Sequence, residues 1–170
     1  MARRPEEVPA EAETPLHGEL DLAFRVLVAL LLGLALGAER EFRGYPAGLR
    51  TVGLVTAGSC LFTGLGLIPD FGKVVDPTRI AAAIVTGVGF LGAGSILRQG
   101  EDVRGLTTAA SIWVSAAIGM GVGFGYYTTA VISTVLVLVT LVALRWVENR
   151  FFPSKHNRRK EDPKIETTPP

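Results

Sequence analysis

"GLTTAASIWVSAAIGMGVGFGYYTTAVISTVLVLVTLVAL", Gly105 to Leu144, runs for 40 residues without a formal charge. As one straight helix it would measure about 60 Å, roughly twice the ~30 Å hydrocarbon core of a bilayer. So apolar a stretch has to turn back on itself. The turn belongs at "GMGVGFGYY", where Gly121, Gly123 and Gly125 free the backbone and Tyr126 and Tyr127 suit a membrane–water interface. Two membrane spans follow, at 105–123 and 126–144.

The same reading extends towards the N-terminus. Residues 80–97 form an uncharged run bracketed by Arg79 and Arg98, and 52–68 form another, stopped by Pro69 and Asp70. Residues 22–38 are broken only by Arg25, whose aliphatic stem is expected to snorkel to the headgroups. The expected fold is therefore all-α, a polytopic membrane helical bundle of five transmembrane helices within 19–147. The acidic, Pro-rich stretch 1–18 is expected to be a disordered tail rather than a secretory signal, and the charged stretch 148–170 a second tail.

Composition agrees. Hydrophobic residues make up 48% and charged residues 19%, and the charges crowd into the ends and connections. A net charge of +1 gives no electrostatic case for a nucleic-acid partner. One cysteine, Cys60 in an apolar run, excludes a disulfide framework or a thiolate zinc site. His17 and His156 lie in the tails and no nucleophile–base pair is visible, so no enzyme is expected and no cofactor is implied. Five spans put the two ends on opposite faces. Twelve basic residues then fall on the side of the C-terminus and four on the side of the N-terminus, which places the C-terminus in the cytoplasm and the N-terminus outside.

"IVTGVGFLGAG", Ile84 to Gly94, contains a G-x-G-x-x-G at Gly87–Gly92. A dinucleotide loop needs a strand before it and a ribose-binding acid about 20 residues on. Here the motif sits mid-span, where an open strand would leave backbone groups unpaired in lipid. Close helix packing is the physical alternative, and Gly33/Gly37, Gly89/Ala93, Gly119/Gly123 and Gly121/Gly125 repeat the small-xxx-small spacing. These faces suggest a homodimer. Gly87, Gly89, Gly92 and Gly94 cover more than one helix face. Two readings stay open: a helix buried among several neighbours, or an unwound helix whose carbonyls line a polar cavity with Thr86 and Ser95.

Two loop-to-helix junctions look alike. Gly48-Leu49-Arg50-Thr51 follows Arg40, and Gly105-Leu106-Thr107-Thr108 follows Arg98. They hint at a parallel repeat of two-helix hairpins. Hydroxyls there are placed to satisfy the free N–H groups of a starting helix, and Thr51 and Thr107 to frame an anion or a carboxylate. Glu39 is the obvious carboxylate, with Arg40 or Arg50 as its partner or, alternatively, each a simple interfacial charge. Asp76-Pro77-Thr78-Arg79 reads as an acidic cap followed by Pro at the first helical position. No Asp or Glu lies inside the five uncharged cores, so no metal-ligand set is assigned and a proton relay is not expected.

The stretches "GAERE" and "PAGLRT" (Gly37–Thr51), "DPTRIAAAIVTGVGFLGAGSIL" (Asp76–Leu97) and "VRGLTTAASIWVSAAIGMGVGFGYY" (Val103–Tyr127) resemble the MgtC/SapB family of bacterial membrane proteins. The resemblance implies a multi-pass inner-membrane protein of magnesium transport or magnesium homeostasis, with Mg²⁺ as a transported or sensed ion and a link to virulence in pathogens. Alternatively it implies a non-transporting regulator that binds a larger membrane complex such as the ATP synthase. It carries over Glu39, Arg40, Gly48, Arg50, Thr51, Asp76, Arg79, Gly89, Gly92, Gly94, Thr107 and Thr108. A conducting route, if present, is expected where Gly87–Gly94 meets Thr107, Thr108 and Ser111. Many members continue into a soluble C-terminal domain where this sequence has only the stretch Glu148–Pro170, so that domain's role is not carried over. Val52 also stands where the family is often polar.

Overall fold

A computed structural model describes residues 15–68, 76–100 and 102–151. Over these residues the chain forms helices α1 (Pro15–Phe42), α2 (Leu49–Gly66) and α3 (Pro77–Gly94), then strands β1 (Leu97–Gln99) and β2 (Asp102–Arg104), then helices α4 (Leu106–Gly123) and α5 (Tyr127–Phe151). Each of the five helices is long and apolar enough to cross a membrane. The protein is a multi-pass membrane protein with a helical bundle fold. Its surface agrees, because Leu31, Phe62, Phe90, Leu136 and Val139 are exposed. The buried set instead holds small and hydroxylated residues such as Ala29, Thr56, Thr63, Ser115 and Ala116. With lipid as the solvent, contact rests on close fit rather than on expelling water.

Contacts divide the chain after Thr134. In the first unit α2 packs between α1 and α4, α1 also meets α4, and α3 leans on α4 and more lightly on α2. Glycines permit the two closest crossings. A Cβ on Gly33 of α1 would sit 2.6 Å from Thr56 Oγ1 of α2, and one on Gly123 of α4 would sit 2.7 Å from Thr63 Cβ of α2. Gly119 lies directly on the Thr56 carbonyl. The hydroxyls of Thr56 and Thr63 donate to their own helix, to the Val52 and Ser59 carbonyls at 2.8 Å each, so these polar side chains are buried without unpaired protons. In the second unit α5 continues from Val135, with Leu136, Val139 and Leu144 exposed.

The turn lies where the glycines predict it. Gly125 takes a φ of 84°, and the Tyr126 N–H donates to the Gly121 carbonyl at 2.8 Å, closing α4. Other boundaries differ from expectation. The first helix runs on past residue 38 to Phe42, carrying Glu39 and Arg40 inside it. The third ends at Gly94 rather than at 97, and Leu97 instead pairs with Arg104 in an antiparallel hairpin. In this pairing Leu97 lies opposite Arg104 and Arg98 opposite Val103. Helix α3 is continuous through Gly87–Gly94, so the unwound alternative is not what forms. Nor is it enclosed, since a Cβ on Gly87, Gly89 or Gly94 would meet nothing within 4 Å. Expectations for residues 1–14, for Pro69 and Asp70, and for 152–170 lie outside the described residues.

Candidate functional site

The end of α1 holds the most unusual side chain in the molecule. Arg40 is fully buried, at 0% exposure. Its Nε donates to the Ala47 carbonyl at 2.7 Å, one terminal nitrogen donates to Ser111 Oγ at 2.9 Å, and the other to Thr108 Oγ1 at 2.8 Å. The guanidinium carbon also lies 4.9 Å from the centre of the Tyr45 ring. Burying such an ion costs several kcal/mol, and charge-assisted hydrogen bonds recover about 1.5–3 kcal/mol each. The opposing terms are of similar size. What the arrangement secures is geometry: one planar fork ties the end of α1 to the α1–α2 connection and to the first turns of α4.

Local sequence explains why this works. Thr108 and Ser111 are spaced i, i+3, so they share one face of α4. Ser111 Oγ donates onward to the Thr107 carbonyl at 2.7 Å, leaving its lone pairs for Arg40. Gly105, with φ 91°, ends the hairpin in a left-handed conformation and starts α4 at Leu106. At the other junction Gly48 precedes α2 with φ −103°. At both starts the N-cap residue is a glycine, with no side chain of its own to cap the helix. The two Gly-Leu-x-Thr junctions thus match in helix register, but their threonines diverge: Thr108 is buried against Arg40 and Thr51 is exposed.

Beside Arg40, the Glu39 side chain is 12% exposed, and its Oε1 lies 2.5 Å from Arg43 Nε. The approach is not aligned for a hydrogen bond, and both Glu39 oxygens are buried without a hydrogen-bond partner among the described residues. Proximity marks the pair as ionic, and the misalignment leaves acceptor capacity unused. The carboxylate at the start of α2 is Glu41 rather than Glu39, with its Oε2 accepting from the Leu49 N–H at 3.3 Å. This corrects the expected role of Glu39 as that anion.

The other predicted residues scatter. Arg50, Thr51 and Thr107 are exposed, Gly89 and Gly94 face open space, and a Cβ on Gly92 would sit 3.5 Å from the Ala109 carbonyl of α4. Thr86 and Ser95 bond back to Ala82 and Gly92 at 2.8 and 2.7 Å, so neither offers a free hydroxyl proton to a cavity. At the opposite end of α3, Asp76 Oδ1 accepts from the Thr78 hydroxyl at 2.7 Å and from its N–H at 2.9 Å, holding the carboxyl below the usual range. Pro77 follows at the first helical position. Arg79 stands exposed one turn in. Among the described residues no group of three or more His, Cys, Asp or Glu side chains is placed to hold a metal ion.

Sequence reasoning missed Ala47 and Tyr45 outright and set Arg25 aside as a snorkelling residue. Arg25 instead pairs with Asp21 at 2.7 Å and donates to the Gly123 carbonyl at 2.9 Å, at the C-terminal end of α4 where a cation is favoured. The signal that could have found Arg40's site was the i, i+3 hydroxyl pair on α4.

Comparison with known proteins gives this arrangement a context. The MgtC family matches residues 26–150, which include all of the Arg40 site. The chain belongs to the MgtC family. This MgtC-family chain is 46% identical over 127 residues to Protein MgtC of Salmonella typhimurium, covering 74% of the chain and 53% of that protein. It is 37% identical over 142 residues to Protein SapB of Bacillus subtilis, covering 79% and 61%. It is 45% identical over 127 residues to the Escherichia coli protein named "Putative magnesium transporter YhiD", covering 71% and 59%. The chain spans about half the length of the curated relatives it matches. No solved structure matches it.

Proposed function

We infer that this MgtC-family protein serves magnesium homeostasis in a bacterial inner membrane as a non-enzymatic, non-transporting regulatory protein. The magnesium link comes from the relatives, one of which carries magnesium transport in its name. The regulatory reading is carried by Arg40. A fixed guanidinium sits where the inner faces of α1 and α4 come together, and their nearest hydroxyls, Thr108 and Ser111, are spent on it. A positive charge held in a low-dielectric interior repels a divalent cation strongly. The partner on this reading is a larger membrane complex such as the ATP synthase. The open Gly89/Ala93 face of α3 is the surface a second copy would use. Basic residues favour a cytoplasmic C-terminus and an external N-terminus.

Purified chain in vesicles loaded with a magnesium-sensitive dye tests this directly. Under an inside-negative potential and low external magnesium, flux is expected to equal that of empty vesicles. Saturable magnesium entry would overturn the regulatory reading. One observation favours a second reading, transport: the buried Glu39 oxygens have unused acceptor capacity. On that reading entry is lost in Glu39→Gln while the protein still folds.

A further inference from the structure

A groove of about 740 Å³ runs between α2 and α3, walled by Leu54 and Phe62 on one side and Ile84, Val88 and Leu91 on the other. Two glycines give it width. Gly58 of α2 and Gly87 of α3 both line it, and a Cβ at either would meet nothing within 4 Å. The walls are almost wholly apolar, with Ser59 adding one hydroxyl, and among the described residues the one cation lining it is Arg79, near the start of α3. From Arg79 to Leu91 the α3 wall extends about 18 Å at ~1.5 Å per residue. One leaflet of hydrocarbon is about 15 Å deep, half of the ~30 Å core.

The cation is available. Among the described residues no carboxylate lies within ion-pair distance of Arg79. Asp76, the acid nearest to it along the chain, has one carboxylate oxygen engaged by the Thr78 hydroxyl and N–H. A guanidinium fork at the interface above a slot one leaflet deep matches a molecule with an anionic phosphate at one end and an aliphatic chain at the other. We propose that the α2–α3 groove is a phospholipid-binding site, with one acyl chain between Gly58 and Gly87 and the lipid phosphate on Arg79. The site is independent of Arg40 and of whether the protein moves magnesium.

The full-length chain is placed in vesicles containing phosphatidylglycerol with a diazirine on its acyl chain, irradiated, and mapped by mass spectrometry. Adducts are expected to concentrate on groove residues of α2 and α3 over the exposed face of α5. Gly87→Leu puts a side chain into the slot, its Cβ entering open space, so groove adducts fall severalfold while α5 adducts stay level and serve as an internal control. Arg79→Gln leaves the slot open, and the phosphatidylglycerol retained through detergent washing falls about threefold, the value expected of one exposed charge pair. Continued protection of the buried Cys60 thiol shows that each variant is folded. Adducts spread evenly over α3 and α5, or unchanged in Gly87→Leu, would overturn the proposal. So would a cross-link joining the groove to a second copy, which would make it a protein interface.

Discussion

Helices α3 and α4 are each 18 residues long with similar hydropathy and a run of spaced glycines, yet 17% of one is buried and 50% of the other. On α4, Gly119 and Gly123 press onto the backbone and β-carbons of α2. On α3, a Cβ at Gly87, Gly89 or Gly94 would meet nothing within 4 Å. A small-residue repeat permits a close crossing but does not create one. What decides is whether a second element holds the helix in place, and α4 has Arg40 and Arg25 gripping its two ends.

The sharpest break of this contrast is Gly119→Leu. A side chain there drives into the Thr56 carbonyl and separates α2 from α4, and no folded protein should survive extraction. Because Cys60 is the only cysteine and is buried, a thiol-reactive dye reads the loss in detergent. Next comes Arg40→Met, expected to cost about 2–4 kcal/mol by removing a three-acceptor hub. Arg40→Lys should not restore it, since one ammonium lacks the planar fork. Unfolding curves monitored at Cys60 give both values, and a Lys variant as stable as the parent would show that charge alone suffices.

The effect reverses on α3. Gly89→Ala should be tolerated or gain about 0.5–1 kcal/mol, because the added methyl meets open space and the helix loses a flexible residue. A large loss there would reveal a neighbour outside the single chain. The smallest effect belongs to Asp76, which fixes the start of α3 by a local cap. Its carboxyl is held low by Thr78, so the cap is complete above the unfolded value of about 3.9 and is lost as pH falls through the lower folded value. Carbon chemical shifts of Thr78 should report fraying of the first turn only in that acid range. Asp76→Asn should abolish the pH dependence.

The five helices and the turn at Gly125 were legible because uncharged length against bilayer thickness is a strong constraint. The hairpin at Leu97–Arg104 was not. Its first strand is a continuation of an apolar run, and periodicity does not separate a short strand from a helix end. The Arg40 site was half legible. Arg40, Thr108 and Ser111 all drew attention on chemical grounds, but a charge ending an apolar run was read as a membrane boundary. Only the contact of α1 with α4, 68 and 71 residues apart in sequence, shows that the charge is inside.

Arg25 and Arg40 fasten the same two helices at points 15 residues apart along α1, a lever arm of about 22 Å. With two anchors that far apart, neither sliding nor rolling of α1 past α4 is open without releasing a guanidinium. Helix α2, threaded between them, is carried along. Any rearrangement this protein makes in the membrane therefore has to carry α1, α2 and α4 together as a single chassis.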